Sequence, residues 1–126
     1  MAARTVLVID DDPEIVHALA ALLGSKGYRV VTASDGEAGI TAVERDSPDL
    51  VIVDMMMPKK SGIAVLQKLK SRTGSSPKVI MMTANEGSRH RAYAEMLGAD
   101  DYLFKPFSLD TLLASVSRLC PTDRRP

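Results

Sequence analysis

Three aspartates in a row, Asp10, Asp11 and Asp12, stand directly after the apolar run Val6-Leu7-Val8-Ile9. Carboxylates at the end of a buried strand are costly unless something positive neutralises them. Three further apolar runs also end in side chains that can do chemistry. Leu50-Val51-Ile52-Val53 delivers Asp54, Val79-Ile80-Met81-Met82 delivers Thr83, and Tyr102-Leu103-Phe104 delivers Lys105. If these runs are parallel strands, all four sets meet along one edge of one sheet, as an acidic, cation-binding, phosphate-handling pocket. Asp10, Asp11 and Asp54 offer oxygen ligands without histidine or cysteine, which suits a hard cation, and Mg²⁺ fits best. A backbone carbonyl just after Asp54 can complete the coordination. Lys105, aimed into a site that holds a divalent cation, calls for a dianionic ligand, and a phosphoryl group on a carboxylate meets that need. Thr83 adds a hydroxyl donor for a phosphoryl oxygen. Asp12, followed by Pro13, reads as a helix cap. Gly62 and Ala84 are small enough to leave room near the site, and Lys105-Pro106 suggests a cis peptide bond.

The elements that must position these residues alternate short apolar strands with amphipathic helices. Strands are expected over Thr5–Ile9, Tyr28–Thr32, Leu50–Val53, Lys78–Met82 and Tyr102–Phe104, nearly continuous in apolar character as parallel strands buried on both faces are. The first helix opens at Asp12-Pro13 and closes at Gly24 and Gly27. The second starts at Asp35 and stops before Ser47-Pro48. The third opens at Ser61 or Gly62 and gives way to the loop Gly74-Ser75-Ser76-Pro77. A less regular fourth runs from about Ser88 to Leu97 and ends at Gly98. The fifth carries the stripe Leu109, Leu112, Leu113, Val116, Leu119 and Cys120, capped by Ser108 or Asp110. Five strand–helix repeats argue for one α/β domain with a doubly wound five-stranded parallel sheet and five helices. Ligands in such sheets bind outside the carboxyl ends of the strands, where the strand order reverses.

Composition narrows the functional classes. The chain has 126 residues, with 16 basic and 16 acidic side chains, so its overall charge makes no case for nucleic acid or for a membrane surface. A single cysteine, Cys120, excludes an internal disulfide and a cysteine-based metal site. No apolar run is long enough to span a bilayer, and Met1-Ala2-Ala3-Arg4-Thr5 leads straight into a strand without a signal peptide's apolar stretch. The expected compartment is the cytoplasm. Residues 1–121 are read as the domain, and residues 122–126 as a C-terminal tail or the start of a linker. Met55, Met56, Met57, Met81 and Met82 read as core filling and strand edges, His17 and His90 as helix-surface residues, Arg89-His90-Arg91 as a solvated basic face, and Cys120 as a buried small hydrophobe.

Taken in this order and spacing, Val6 through Pro13, Asp54-Met55-Met56-Met57-Pro58 with Gly62, Met82-Thr83-Ala84, Gly98-Ala99 and Lys105-Pro106-Phe107 resemble the receiver domain of two-component response regulators, CheY-like proteins, from about Thr5 to Leu119. The resemblance implies a flavodoxin-like strand order 2-1-3-4-5. It implies that Asp54 accepts a phosphoryl group in a Mg²⁺-dependent reaction. Asp11 would bind the metal directly, Asp10 mostly through water, and Met56 through its carbonyl. Lys105 would pair with the phosphoryl group, Thr83 would hydrogen-bond it, and Tyr102 would be the aromatic switch that moves inward with Thr83. The implied donor is a sensor histidine kinase or a histidine phosphotransfer protein. The implied output is a downstream effector protein or fused output domain, read from the face of the fourth helix, fifth strand and fifth helix, where a phosphorylation-dependent homodimer can also form. Such a chain is no enzyme beyond self-phosphotransfer and autodephosphorylation. Phe104 stands where the family often has a smaller side chain, and Met56 and Asn85 occupy positions that influence attack of water on the phosphoaspartate.

Two other functions share parts of the pattern. A haloacid-dehalogenase-type phosphatase uses an aspartate nucleophile, but Glu14 stands where its motif wants Thr or Val, and no acid lies two residues after Asp54. A receiver-like scaffold that works without phosphorylation usually loses an acid, the lysine or the threonine, whereas this chain keeps all of them.

Overall fold

In the computed structural model, residues 3–57, 61–71, 76–84 and 88–122 are described, the side chains of 88–91 excepted. Pro58, Gly74, Ser75, Asn85, the side chains of Arg89, His90 and Arg91, and residues 123–126 of the tail lie outside them. The elements follow in strict alternation: β1 (Thr5–Ile9), α1 (Pro13–Ser25), β2 (Arg29–Ala33), α2 (Gly36–Asp46), β3 (Leu50–Asp54), α3 (Gly62–Lys70), β4 (Lys78–Thr83), α4 (Ser88–Met96), β5 (Asp101–Phe104) and α5 (Leu109–Leu119). All neighbouring strands are parallel, in the order β2-β1-β3-β4-β5. The chain steps outward from β1 to β2, then crosses back to β3, so the order reverses between β1 and β3. Asp10 follows the first of these strands and Asp54 ends the second.

The central strands β1, β3 and β4 are almost wholly apolar because helices cover both faces of the sheet, whereas the edge strand β2 exposes Arg29 and Thr32. Leu7, Ile9, Val51, Val53, Val79 and Met81 face α2, α3 and α4. Val6, Val8, Leu50, Ile52, Ile80 and Met82 face α1 and α5, with Leu19, Leu23, Leu112 and Val116 packed against them. The alternation of Cβ direction along each strand divides the residues between the two layers. Burial of this apolar surface, at about 25 cal/mol per Å², is the main force holding the layers together.

Side-chain caps fix where four helices begin. Asp12 accepts the Glu14 N–H, Asp35 the Ala38 N–H, Ser61 the Ala64 N–H and Ser108 the Thr111 N–H, each worth about 1 kcal/mol. Asp12 is thus the cap that its sequence context predicts, and Ser108 rather than Asp110 caps α5. Two expectations shift. Strand β2 starts at Arg29, because the Tyr28 N–H still closes the turn after α1 onto the Leu23 carbonyl at 3.2 Å. Leu109, placed on the buried stripe of α5, is 49% exposed: it is the first residue of the helix and lines an open groove beside Lys105.

Candidate functional site

The C-terminal ends of β1, β3, β4 and β5 bring the sequence-predicted residues together. Asp10 is buried just past β1, Asp54 is buried at the end of β3, and Thr83 is fully buried at the end of β4. Asp11 is exposed at the rim. One carboxylate oxygen from each of Asp10, Asp11 and Asp54 lies within 4.8 Å of the others. Lys105 follows β5, its backbone held by an N–H donated to the Thr83 carbonyl at 2.7 Å, and the Lys105–Pro106 peptide bond is cis, as the sequence suggests. Its ammonium reaches back across the sheet, 2.8 Å from Asp10 Oδ2 and 3.5 Å from Asp54 Oδ2. Sequence reasoning paired Lys105 with a group on Asp54 and missed its closer contact with Asp10, since strand ends alone do not give the direction of a long side chain.

The charges do not balance locally. Burial pushes the Asp54 carboxyl above its ordinary range; the Lys105 charge opposes this, the Asp10 charge adds to it, and the Met56 N–H opposes it. That N–H donates to Asp54 Oδ1 at 3.3 Å. Burial works to lower the Lys105 pKa, but its hydrogen bond to Asp10 and the charges of Asp54 and Asp10 outweigh this, and the net shift is upward. Lys105 is therefore firmly cationic, yet one ammonium faces three carboxylates. An all-oxygen donor set with surplus negative charge is what a hard divalent cation satisfies, and the acidic cluster Asp10, Asp11 and Asp54 could hold one.

Gly62, at the start of α3, has a role beyond smallness. A Cβ there would collide with the Asp54 carbonyl oxygen and come within 2.7 Å of the Met55 Cα. Only glycine lets α3 start this close to the end of β3. On one side of the site a cleft of about 510 Å³ opens between α1 and β2, lined by Asp10, Asp11, His17, Thr32 and Ser34. On the other, a largely apolar groove of about 430 Å³ runs beside Lys105, lined by Ile15, Leu19, Pro106, Phe107 and Leu109.

Tyr102 is buried with its ring edge-on to Phe104, centroids 5.4 Å apart. Its hydroxyl lies 3.7 Å from the Met55 sulfur. Met55, Met81 and Met82 fill the core as expected, but Met56 is 63% exposed. The core assignment fails for Met56 because it lies past the strand end, in the loop that closes onto Asp54. His17 is exposed and Cys120 buried, as predicted.

Residues 6–117 match the family described as the response regulator receiver domain. The chain belongs to this family, and is a receiver domain of the two-component response regulators. It is 37% identical over 115 residues to the probable transcriptional regulatory protein TcrX of Mycobacterium tuberculosis, covering 91% of this chain and 49% of that protein. The chain thus spans about half the length of the curated relatives it matches. Among solved structures, the receiver domain of the Francisella response regulator 1452 superposes with a TM-score of 0.86 at 31% identity, over 92% of this chain and 95% of that one. The response regulator TrrA of Thermotoga maritima, solved in complex with Mg²⁺ and BeF, gives 0.82 at 32% identity, over 92% and 98% of the two chains. The five-stranded flavodoxin-like fold is common to them. No helix among the described residues is long and apolar enough to cross a membrane.

Proposed function

We propose that Asp54 is the phosphoacceptor of this receiver, and that Mg²⁺ is held by the Asp10, Asp11 and Asp54 carboxylates with the Met56 carbonyl. The observation that carries the reading is the convergence of three carboxylates within 4.8 Å on a single lysine at the point where the strand order reverses. The Mg²⁺-bound state of the Thermotoga relative supports the choice of metal. When bound, Mg²⁺ offsets negative charge on the phosphoryl oxygens.

The donor is a phosphohistidine on a sensor histidine kinase or a histidine phosphotransfer protein. An Asp54 carboxylate oxygen attacks phosphorus, the P–O bond forms as the P–N bond breaks, and the leaving imidazole takes up a proton. The chain's own contribution is positioning and charge neutralisation. Lys105 moves from Asp10 toward the new oxygens, a short step because it lies 3.5 Å from Asp54 Oδ2. Thr83 donates its hydroxyl to one of those oxygens, and Tyr102, whose ring is already buried, is the aromatic switch whose inward position the phosphoryl group then favours. Water later cleaves the mixed anhydride, returning the Asp54 carboxylate and inorganic phosphate, so the chain's reactivity is confined to self-phosphotransfer and autodephosphorylation. Residues 1–121 are taken as the receiver, and residues 122–126 as a C-terminal tail or the start of a linker. The face of α4, β5 and α5 carries the signal to an effector protein, a fused output domain or a second copy in a homodimer. This activity belongs in the cytoplasm, with the kinase's phosphohistidine.

Intact mass after incubation with acetyl phosphate tests the proposal. One added phosphoryl group is expected in the presence of Mg²⁺, none with excess chelator, and none in Asp54→Asn. A folded protein with no adduct, and no binding of beryllofluoride with Mg²⁺, would sink it in favour of a phosphorylation-independent scaffold.

A further inference from the structure

Met55 follows Asp54 directly, and its backbone is held on both sides. Its N–H donates to the Met82 carbonyl at 2.8 Å, and its own carbonyl accepts the Gly62 N–H at 2.9 Å. With the main chain fixed, the side chain enters the core on the α2–α3–α4 side and is 4% exposed. There its sulfur meets the Tyr102 hydroxyl at 3.7 Å. Residues 55 and 102 are far apart in sequence, so the contact joins the end of β3 to the middle of β5. A thioether is a weak acceptor in water. In a dry core the same contact counts for more, since the hydroxyl exchanges it against desolvation rather than against bulk water.

We infer that Met55 is a positioning residue: its sulfur holds the Tyr102 ring in the inward rotamer, and so links the residue after Asp54 to β5 by a route separate from Thr83. The inference deepens the reading of Asp54 as phosphoacceptor and gains its signalling meaning from it. Small displacements of the Asp54 loop reach Tyr102 through one rigid-backed side chain. An outward ring would leave the sulfur facing the space the ring had filled, so Met55 favours the inward state through shape as well as through its acceptor atom. The difference between the two populations need only be modest for a binding face to respond.

The chain has three tyrosines and no tryptophan, so 3-fluorotyrosine labelling gives a three-line ¹⁹F spectrum. Tyr28, 7% exposed, and Tyr93, 44% exposed, are internal references for buried and open rings. A soluble paramagnetic relaxation agent should spare Tyr102 in the wild type as it spares Tyr28. Met55→Leu conserves volume and removes the acceptor. It should move the inward-to-outward ratio by about threefold to tenfold, the size of a weak hydrogen bond, and bring Tyr102 toward the Tyr93 value. Met81→Leu, the same change in the same cluster beside Tyr102 on β4, should leave it protected. Tyr102 equally protected in Met55→Leu, or equally exposed by both substitutions, would overturn the inference.

A titration with beryllofluoride and Mg²⁺ separates positioning from general damage. Met55→Leu should weaken the apparent affinity about threefold, and should weaken it no further when Tyr102→Phe has already removed the hydroxyl. Full additivity of the two changes contradicts the link. If the wild type binds no beryllofluoride, the reading of Asp54 fails, and the ring accessibility of the free protein still decides the role of Met55.

Discussion

The two ends of the sheet use the same residue types to opposite effect. At the N-terminal end, Asp100 accepts the Val79 N–H at 2.8 Å and pairs with Lys70 at 3.1 Å, while Lys70 also donates to the Pro77 carbonyl at 3.2 Å. Asp49 accepts the Thr5 N–H at 2.8 Å in the same way. Backbone donors meet carboxylates at both ends, since Asp10 accepts the Asp12 N–H at 2.9 Å and Asp54 the Met56 N–H at 3.3 Å; the difference lies in the charge, because Lys70 pairs with one acid. At the C-terminal end one lysine meets Asp10 and Asp54 with Asp11 close by, leaving two surplus negative charges. The first arrangement closes loops and asks for nothing more. The second is incomplete as protein chemistry, and its incompleteness is what a cation and a transferable phosphoryl group can use.

Removing the lysine from each end should break the comparison most visibly. Lys105→Met strips the compensation from two buried carboxylates, and should cost about 3 kcal/mol of unfolding free energy at pH 7 by urea titration. The loss should shrink toward acid pH, where Asp54, already pushed upward, takes a proton. Lys70→Met removes a pair whose side chains are both 22% exposed, and Asp100 keeps its backbone donor. Its cost should be about 1 kcal/mol. Equal costs for the two variants would mean that the surplus charge at the site is not felt.

Mg²⁺ sharpens the same contrast. At about five times its dissociation constant it should stabilise the wild type by about 1 kcal/mol in thermal unfolding. Lys70→Met should keep that gain and Asp54→Asn should lose most of it. A Mg²⁺ response unchanged in Asp54→Asn would place the metal elsewhere.

Much of this contrast is legible in the sequence, for a physical reason. Parallel strands covered on both faces must be apolar throughout, so the first polar residue after each run marks the strand end, and parallel order puts all such ends on one edge. Asp10, Asp54, Thr83 and Lys105 follow from that rule alone. Caps are equally local, and Asp12, Asp35, Ser61 and Ser108 announce their helices. What escaped depends on where long side chains point once the backbone is fixed. The preference of Lys105 for Asp10, the exposure of Met56 and the Met55–Tyr102 contact are of this kind. The clamp of Lys70 onto Asp100 escaped for the same reason, since thirty residues separate two groups whose only signal is their charge.

The smallest effect concerns Asp54 alone, and its sign is the informative part. Burial raises the folded-state pKa of this carboxyl above its unfolded value, with Lys105 opposing and Asp10 assisting the rise. Below the unfolded pKa both states are protonated and the group contributes nothing to the pH dependence. Between the two values the folded state binds more protons, so stability falls as pH rises; above the raised value the penalty is constant. Asp54→Asn removes the penalty while its amide oxygen can still accept the Met56 N–H, and Lys105 keeps Asp10 at 2.8 Å. The variant should therefore be more stable than the wild type at pH 7 by about 0.5–1 kcal/mol, a rise in Tm of about 2–5 °C, with the advantage fading as pH drops through the carboxylate range. A variant less stable at neutral pH would mean that Lys105 holds the ionised Asp54 more strongly than burial opposes it. The site would then resemble the paired N-terminal end of the sheet, and the surplus charge would lie on Asp11 at the rim.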